Sequence, residues 1–180
     1  MGLLEDAKHG NKNAYKELTD PIEIKLYKTA RLYFKQEPEV LKAVKHTLKE
    51  LYKEIVNVKN EDMLIAWALR ILIKYSDEKV KVYSKSKKWK EKYDNDIYNT
   101  EYQLYRKDSI LEQYITSMNP AHRLISTLYF YDGLTIKQIS WVLRMSEKDV
   151  EYTVSQSRDE LIELITNEGV KKYNEYVEWR

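Results

Sequence analysis

The stretch that decides the fold is residues 132–163, DGLTIKQISWVLRMSEKDVEYTVSQSRDELIE. It reads as a turn, a short helix, a second turn and a longer helix. Asp132 and Gly133 close the preceding segment, because glycine takes the left-handed conformation at a helix end without steric cost. Thr135 has Gln138 three residues on, the spacing of a capping box, in which side chain and backbone at a helix start satisfy each other. Ile136, Ile139, Val142 and Leu143 give this short helix one apolar face. Arg144 and Met145 make the turn, with Arg144 where glycine would be free of strain. Ser146 and Asp149 repeat the box spacing and open the next helix. Val150, Val154, Ser157, Leu161 and Ile165 then recur at intervals of three and four and predict its buried stripe. A short capped helix, a tight turn and a longer capped helix make the helix-turn-helix layout.

The residues before this stretch continue the helical pattern. SILEQYITSM starts at Ser109, Asn119 and Pro120 supply a cap and a first helical residue, and AHRLISTLYFYDG leads into the turn. After the long helix, residues 167–169 predict a stop. The tail 169–180, GVKKYNEYVEWR, has the residues for a short amphipathic helix.

Farther back, residues 85–108 are polar with little apolar periodicity and predict a linker. Its first part interleaves cations and rings: Lys85, Lys87, Lys88, Trp89, Lys90, Lys92 and Tyr93. That mixture suits single-stranded nucleic acid, since cations meet phosphates while rings stack on bases, and it equally suits a solvated lysine-rich loop. Residues 1–84 predict a helical bundle. Asn11 starts a short helix, Asp20 and Pro21 start a second, and Gln36, Glu37 and Pro38 break the chain before a third. The second helix aligns Ile22, Leu26, Ala30 and Tyr33. The third turns Leu41, Val44, Leu48, Leu51 and Ile55 inward and leaves Lys42, Lys45, His46, Lys49 and Lys53 outward. Asn60 opens a fourth, with Leu64, Trp67, Ala68, Ile71, Leu72 and Tyr75 inward and Trp67 as the core anchor. Arg70, Lys74, Lys81 and Lys85 lie toward its other side.

Composition agrees with an all-α chain. In 180 residues there are 4 glycines and 3 prolines, too little punctuation for a sheet of many hairpins. No run of about twenty apolar residues offers a membrane span, so no membrane insertion is expected. The first residues, MGLLEDAKHGNKNAYKEL, lack the order of a signal peptide, and cysteine is absent, which fits a reducing cytoplasm. The net charge of +2 is unevenly spread. Residues 109–180 hold 8 basic and 11 acidic side chains, which leaves 23 and 18 in residues 1–108. The helix-turn-helix half is therefore acidic and the front half basic, the reverse of what a free-standing DNA reader needs.

No constellation for catalysis is present. His9, His46 and His122 are scattered and none pairs with a carboxylate at metal-ligand spacing. There is no phosphate-binding glycine loop and no nucleophile elbow. The expectation is a non-enzyme with no cofactor and no metal.

Three segments together carry a family resemblance. PAHRLISTLYFYDGLTIKQISWVLRMSEKDVEYTVSQSRDEL, from Pro120 onward, resembles the C-terminal domain of sigma-70 family transcription factors. GNKNAYKEL at residues 10–18 and WALRI at residues 67–71 resemble the N-terminal half of the small, two-domain sigma factors of the extracytoplasmic-function type. The likeness covers most of residues 5–165, with the middle unmatched. It implies residues 1–84 as a sigma region 2-like bundle, 85–108 as a linker, 109–168 as a sigma region 4-like helix-turn-helix domain and 169–180 as a tail. It implies an alternative sigma factor that binds core RNA polymerase and directs promoter recognition and transcription initiation. Its partners would be core polymerase, promoter DNA and an anti-sigma protein.

By the same resemblance, the −10 promoter element would meet Arg70, Lys74, Lys81 and Lys85. The −35 element would meet Arg144, Ser146, Lys148, Tyr152, Gln156 and Arg158. Core polymerase would dock at Lys42, Lys45, His46 and Lys49. Two features depart from the family. That docking surface is usually acidic and is cationic here. The last helix is usually rich in Arg and Lys, yet six carboxylates here outnumber Lys148 and Arg158. These departures favour the alternative, a sigma-like protein-interaction or polymerase-modifying adaptor with little DNA binding of its own.

Overall fold

A computed structural model describes residues 2–84, 115, 118 and 120–178. The chain divides into two compact units, Met1–Tyr98 and Asn99–Arg180, each treated by itself. The fold is all-α, and no strand occurs among the described residues. The expected linker, with its basic and aromatic run, lies outside the described residues.

The first unit opens with α1 (Leu3–Lys8) and α2 (Lys12–Arg31). The Asn11 side chain caps α2, accepting from the backbone N–H of Asn13 at 3.0 Å and of Ala14 at 3.2 Å. The expected helix break at Asp20 and Pro21 does not occur: α2 is one helix with Pro21 inside it. Proline removes an N–H and crowds the carbonyl four residues back, at a cost of about 3 kcal/mol. The helix persists because Pro21 and Glu17 both face water, while Leu18, Leu26 and Ala30 are buried on either side. Thr19 adds a bond from its hydroxyl to the Tyr15 carbonyl at 3.0 Å.

Helix α3 (Glu37–Glu54) starts after Gln36 with Pro38 in its first turn. Its buried face is Val40, Ala43, Val44, Thr47 and Leu51. The expected inward Leu41 is 43% exposed and Leu48 is half-buried, so the stripe is rotated from the one read off the large apolar residues. The small side chains of Ala43 and Thr47 take buried positions on this face.

Asn60 accepts from the Met63 N–H at 3.1 Å and closes a 3₁₀ turn (Glu61–Met63) that leads into α4 (Leu64–Ser84). The same rotation recurs here. Ala66, Ala68, Leu69, Leu72, Ile73 and Ser76 are buried, whereas Trp67, Ile71 and Tyr75 are half-buried. Trp67 therefore sits at the edge of the core and is not its anchor. Helix α3 packs on α4, and α2 packs on both.

The second unit contains α5 (Pro120–Ser126), which runs into a π-helical turn (Thr127–Tyr131). The Asp132 N–H reaches back to the Thr127 carbonyl at 2.9 Å, and Gly133 follows at φ +76°, as the sequence expects of that pair. Helices α6 (Ile136–Leu143) and α7 (Glu147–Glu178) complete it. Helix α7 packs on α5 and α6 through Val150, Val154, Ser157 and Leu161, with Ile115 and Met118 against Leu161. Ile165, expected inward, is 49% exposed. The expected stop at 167–169 is also absent, because α7 continues through Gly169 to Glu178. Glycine inside a helix costs only about 1 kcal/mol, too little to end it by itself.

Two substitutions test this account of the first unit. Pro21→Ala should raise its unfolding free energy by roughly 1–3 kcal/mol, the propensity gain less proline's entropic advantage in the unfolded chain. Urea titration measures this, and an unchanged midpoint would show that α2 carries no proline penalty. Trp67→Ala should cost about 2 kcal/mol, below the roughly 3–5 kcal/mol of a fully buried ring. A loss in the higher range would restore Trp67 as the core anchor.

Candidate nucleic-acid interface

The helix-turn-helix is assembled by local hydrogen bonds that the sequence announces. Thr135 Oγ1 accepts from the Gln138 N–H at 3.2 Å, and Gln138 Oε1 accepts from the Thr135 N–H at 2.9 Å. This is the expected capping box. Helix α6 buries Ile139 and Val142 and ends at Arg144, which takes the left-handed conformation at φ 55°, ψ 41°. A non-glycine residue there carries about 1–2 kcal/mol of steric cost. The turn is held by the Ser140 hydroxyl, which donates to the Met145 carbonyl at 2.6 Å, and by the Met145 N–H on the Ser140 carbonyl at 3.2 Å. Ser146 then caps α7. Its Oγ accepts from the Asp149 N–H at 3.1 Å and donates to the Asp149 carboxylate at 2.6 Å.

These bonds fix which side of α7 meets water. Arg144, Ser146, Lys148, Tyr152, Gln156 and Arg158 are all exposed. Ser146 is committed to the cap. Lys148, Tyr152 and Gln156 follow one another at intervals of four, away from buried Val150, Val154 and Ser157. Tyr152 is 64% exposed, and its hydroxyl accepts from Gln156 Nε2 at 2.8 Å. The pair thus presents a phenol and an amide at one place, groups able to bond base edges or phosphates. Glu147, Asp149, Glu151, Asp159 and Glu163 are exposed on the same helix.

Glu160 has another role that sequence reading missed. Its carboxylate meets His122 Nδ1 at 2.7 Å and ties α7 to α5. The two residues are 38 positions apart, and neither carries a local signal of the pairing. Among the described residues, no group of three His, Cys, Asp or Glu could hold a metal ion, and no helix is long and apolar enough to cross a membrane.

In the first unit, Arg70 is half-buried on α4 and Lys74 and Lys81 are exposed; Lys85 lies outside the described residues. Asp77 is close to Lys81. Partial desolvation holds its carboxyl above the usual range, and Lys81 and a hydrogen bond with Tyr33 pull it back. Burial, then the Asp77 charge, pushes the Tyr33 phenol up. On α3, Lys42, Lys45 and Lys49 are exposed, and the half-buried His46 ring stacks on Tyr75 at 4.2 Å between centroids.

Fold and site together define an all-α protein with a helical bundle in one unit and a helix-turn-helix in the other. Neither a family model nor a curated protein matches the sequence. Among solved structures, the chain is similar to CnrH in complex with the cytosolic domain of CnrY. The similarity covers 92% of this chain and 96% of that chain at a TM-score of 0.63 and 19% identity, and it establishes a shared fold.

Arg144→Gly should relieve the left-handed strain and stabilise the protein by about 1 kcal/mol. Urea unfolding of both proteins checks this. An unchanged or lowered stability would mean that the Arg144 side chain makes contacts worth as much as the strain.

Proposed function

We propose that this chain is an alternative sigma factor of the two-domain, extracytoplasmic-function type, acting in the cytoplasm without catalysis. In this reading it binds core RNA polymerase and directs it to promoters. Residues 1–84 and 109–168 serve as the two DNA-reading domains, 85–108 as their linker and 169–180 as a tail. The observation that carries the proposal is the helix-turn-helix built by two capped helices, with Lys148, Tyr152 and Gln156 on its water-facing side. The resemblance of residues 10–18, 67–71 and 120–161 to sigma factors supports it, as does the fold shared with CnrH along nearly the whole chain. CnrH was solved with a bound partner domain, which supports an anti-sigma protein among the partners here.

The mechanism follows from the chemistry of the side chains assigned to each surface. The start of α7 enters the −35 major groove, where Lys148, Tyr152 and Gln156 meet base edges, while Arg144 and Arg158 meet phosphates. Arg70, Lys74, Lys81 and Lys85 meet the −10 region, and Lys42, Lys45, His46 and Lys49 form the polymerase-facing surface. With few cations on α7, the second unit alone has only non-specific affinity, about 0.1 mM or weaker at physiological salt. Tethering by polymerase raises its effective concentration at the site.

A second reading rests on a specific observation, the exposed carboxylates Glu151, Asp159 and Glu163 on the same helix. In that reading the chain is a sigma-like adaptor that modifies polymerase by protein binding, with little intrinsic DNA binding. Transcription from a set of genomic promoters, using core polymerase and the full chain, separates the two. Promoter-specific transcripts are expected, and K148A/Y152A/Q156A should reduce them at least tenfold without unfolding the protein. Polymerase binding without initiation would favour the adaptor. Initiation indifferent to those three residues would remove them from promoter reading.

A further inference from the structure

One hydrogen bond on the exposed side of α7 orients an amide that would otherwise turn freely. Gln156 Nε2 donates to the Tyr152 hydroxyl at 2.8 Å, one helical turn away. Gln156 makes no other hydrogen bond among the described residues. Both side chains face water, Tyr152 with 64% of its surface. A carboxamide carries two N–H donors on its nitrogen and an acceptor oxygen. The Tyr152 hydroxyl takes one donor and so sets which way the amide faces. Gln156 keeps one N–H and Oε1, side by side on a planar group. Tyr152 keeps its own O–H hydrogen for an acceptor on the nucleic acid.

We infer that Gln156, oriented by Tyr152, reads one adenine in the major groove. The inference rests on the promoter-reading function proposed above and deepens it by assigning the base. A donor beside an acceptor matches adenine, whose major-groove edge offers N7 as acceptor and an N6 hydrogen as donor. Guanine offers two acceptors there, N7 and O6, and would set a lone pair against Oε1. Thymine sets an acceptor beside a methyl group, and cytosine offers only a donor, so each satisfies half of the amide. Tyr152 is a positioning residue for this contact. Without its hydroxyl the amide turns freely, and its two N–H groups can then meet the two acceptors of guanine. Fixing the amide before binding also spares the entropy of ordering it on the base.

The test uses the full chain with core polymerase and promoters in which each −35 base pair is varied in turn. One position is expected to prefer adenine by about tenfold. There, 7-deazaadenine lacks the N7 acceptor, and N6-methyladenine carries a methyl group in place of the N6 hydrogen that faces the groove. Each should lower initiation about as far as a changed base. Q156E keeps the size of the side chain but offers only acceptors, so the preference at that position should move from adenine toward cytosine. Y152F should narrow the adenine-over-guanine ratio there about threefold and leave the preferences at other positions as they were. Circular dichroism should show both variants folded. A preference for guanine at the position that Q156E alters would mean that the amide faces the other way, with the hydroxyl donating to Oε1, and would overturn the inference. So would a set of base preferences that Q156E or Y152F leaves unchanged. Promoter-specific initiation with any of those results keeps the sigma-type function and rejects the adenine contact, whereas no initiation from any promoter rejects both.

Discussion

Close approach of helices through small side chains sets the rest of this structure. Ala43 and Thr47 on α3, Ala66, Ala68 and Ser76 on α4, Ser126 on α5 and Ser157 on α7 are all fully buried. The distance between packed helices depends on the side chains at the contact, and small ones bring the backbones together. The arrangement has a cost. Among the described residues, the hydroxyls of Ser76, Ser126 and Ser157 have no hydrogen-bond partner, and each such buried group costs about 1–3 kcal/mol. Dense contact along the helices offsets it. Turning the small residues inward also turns larger neighbours outward, and Leu41 and Trp67 reach the surface or the core edge for that reason. Packing in the interior thus decides what the protein shows to partners.

This explains which parts of the molecule were legible in the sequence. Where structure is decided locally, reading was direct. The caps at Asn11, Thr135, Ser146 and Asn60, the left-handed Gly133 and Arg144, and the two helices around that turn all follow from residues a few positions apart. Where structure is decided by a distant neighbour, reading failed. A search for large apolar residues assigns Leu41 and Trp67 to the core, because it gives Ala43 and Ala66 no weight. Pro21 and Gly169 leave their helices unbroken, since a penalty of about 1–3 kcal/mol ends a helix only where little packing opposes it. The His122–Glu160 tie was invisible because it depends wholly on how α5 crosses α7. The exposed side of α7, by contrast, was legible, as it is the complement of a correctly read stripe at Val150, Val154 and Ser157.

Charge divides between the two halves of the chain in a way that assigns them different work. The front half, with 23 basic and 18 acidic residues, holds the long-range attraction for anions, and the back half, with 8 and 11, cannot. Phosphate contacts supply most non-specific affinity, and groove contacts supply selectivity. Under the proposed function, a helix-turn-helix with few cations would select among sites to which something else has brought it.

The acidic count on α7 overstates the repulsion that a duplex would meet there. Six carboxylates occur between Ser146 and Ile165, but they do not act alike. Glu160 is half-buried and bound to His122 on the side that faces α5. Asp149 is fixed by the Ser146 hydroxyl, and both Glu147 and Asp149 lie in the first turn, where the unsatisfied N–H groups of the helix carry a compensating positive charge. Glu151, Asp159 and Glu163 remain as uncompensated anions on the water-facing side. Against them stand Lys148 and Arg158 on the helix, Arg144 in the turn and Lys137 on α6, all exposed. The face is then close to neutral. A near-neutral face neither draws a duplex in nor excludes it, so a few kcal/mol of tethering decides whether α7 engages. Under the proposed function, that is the condition in which α7 would respond to polymerase and stay silent alone.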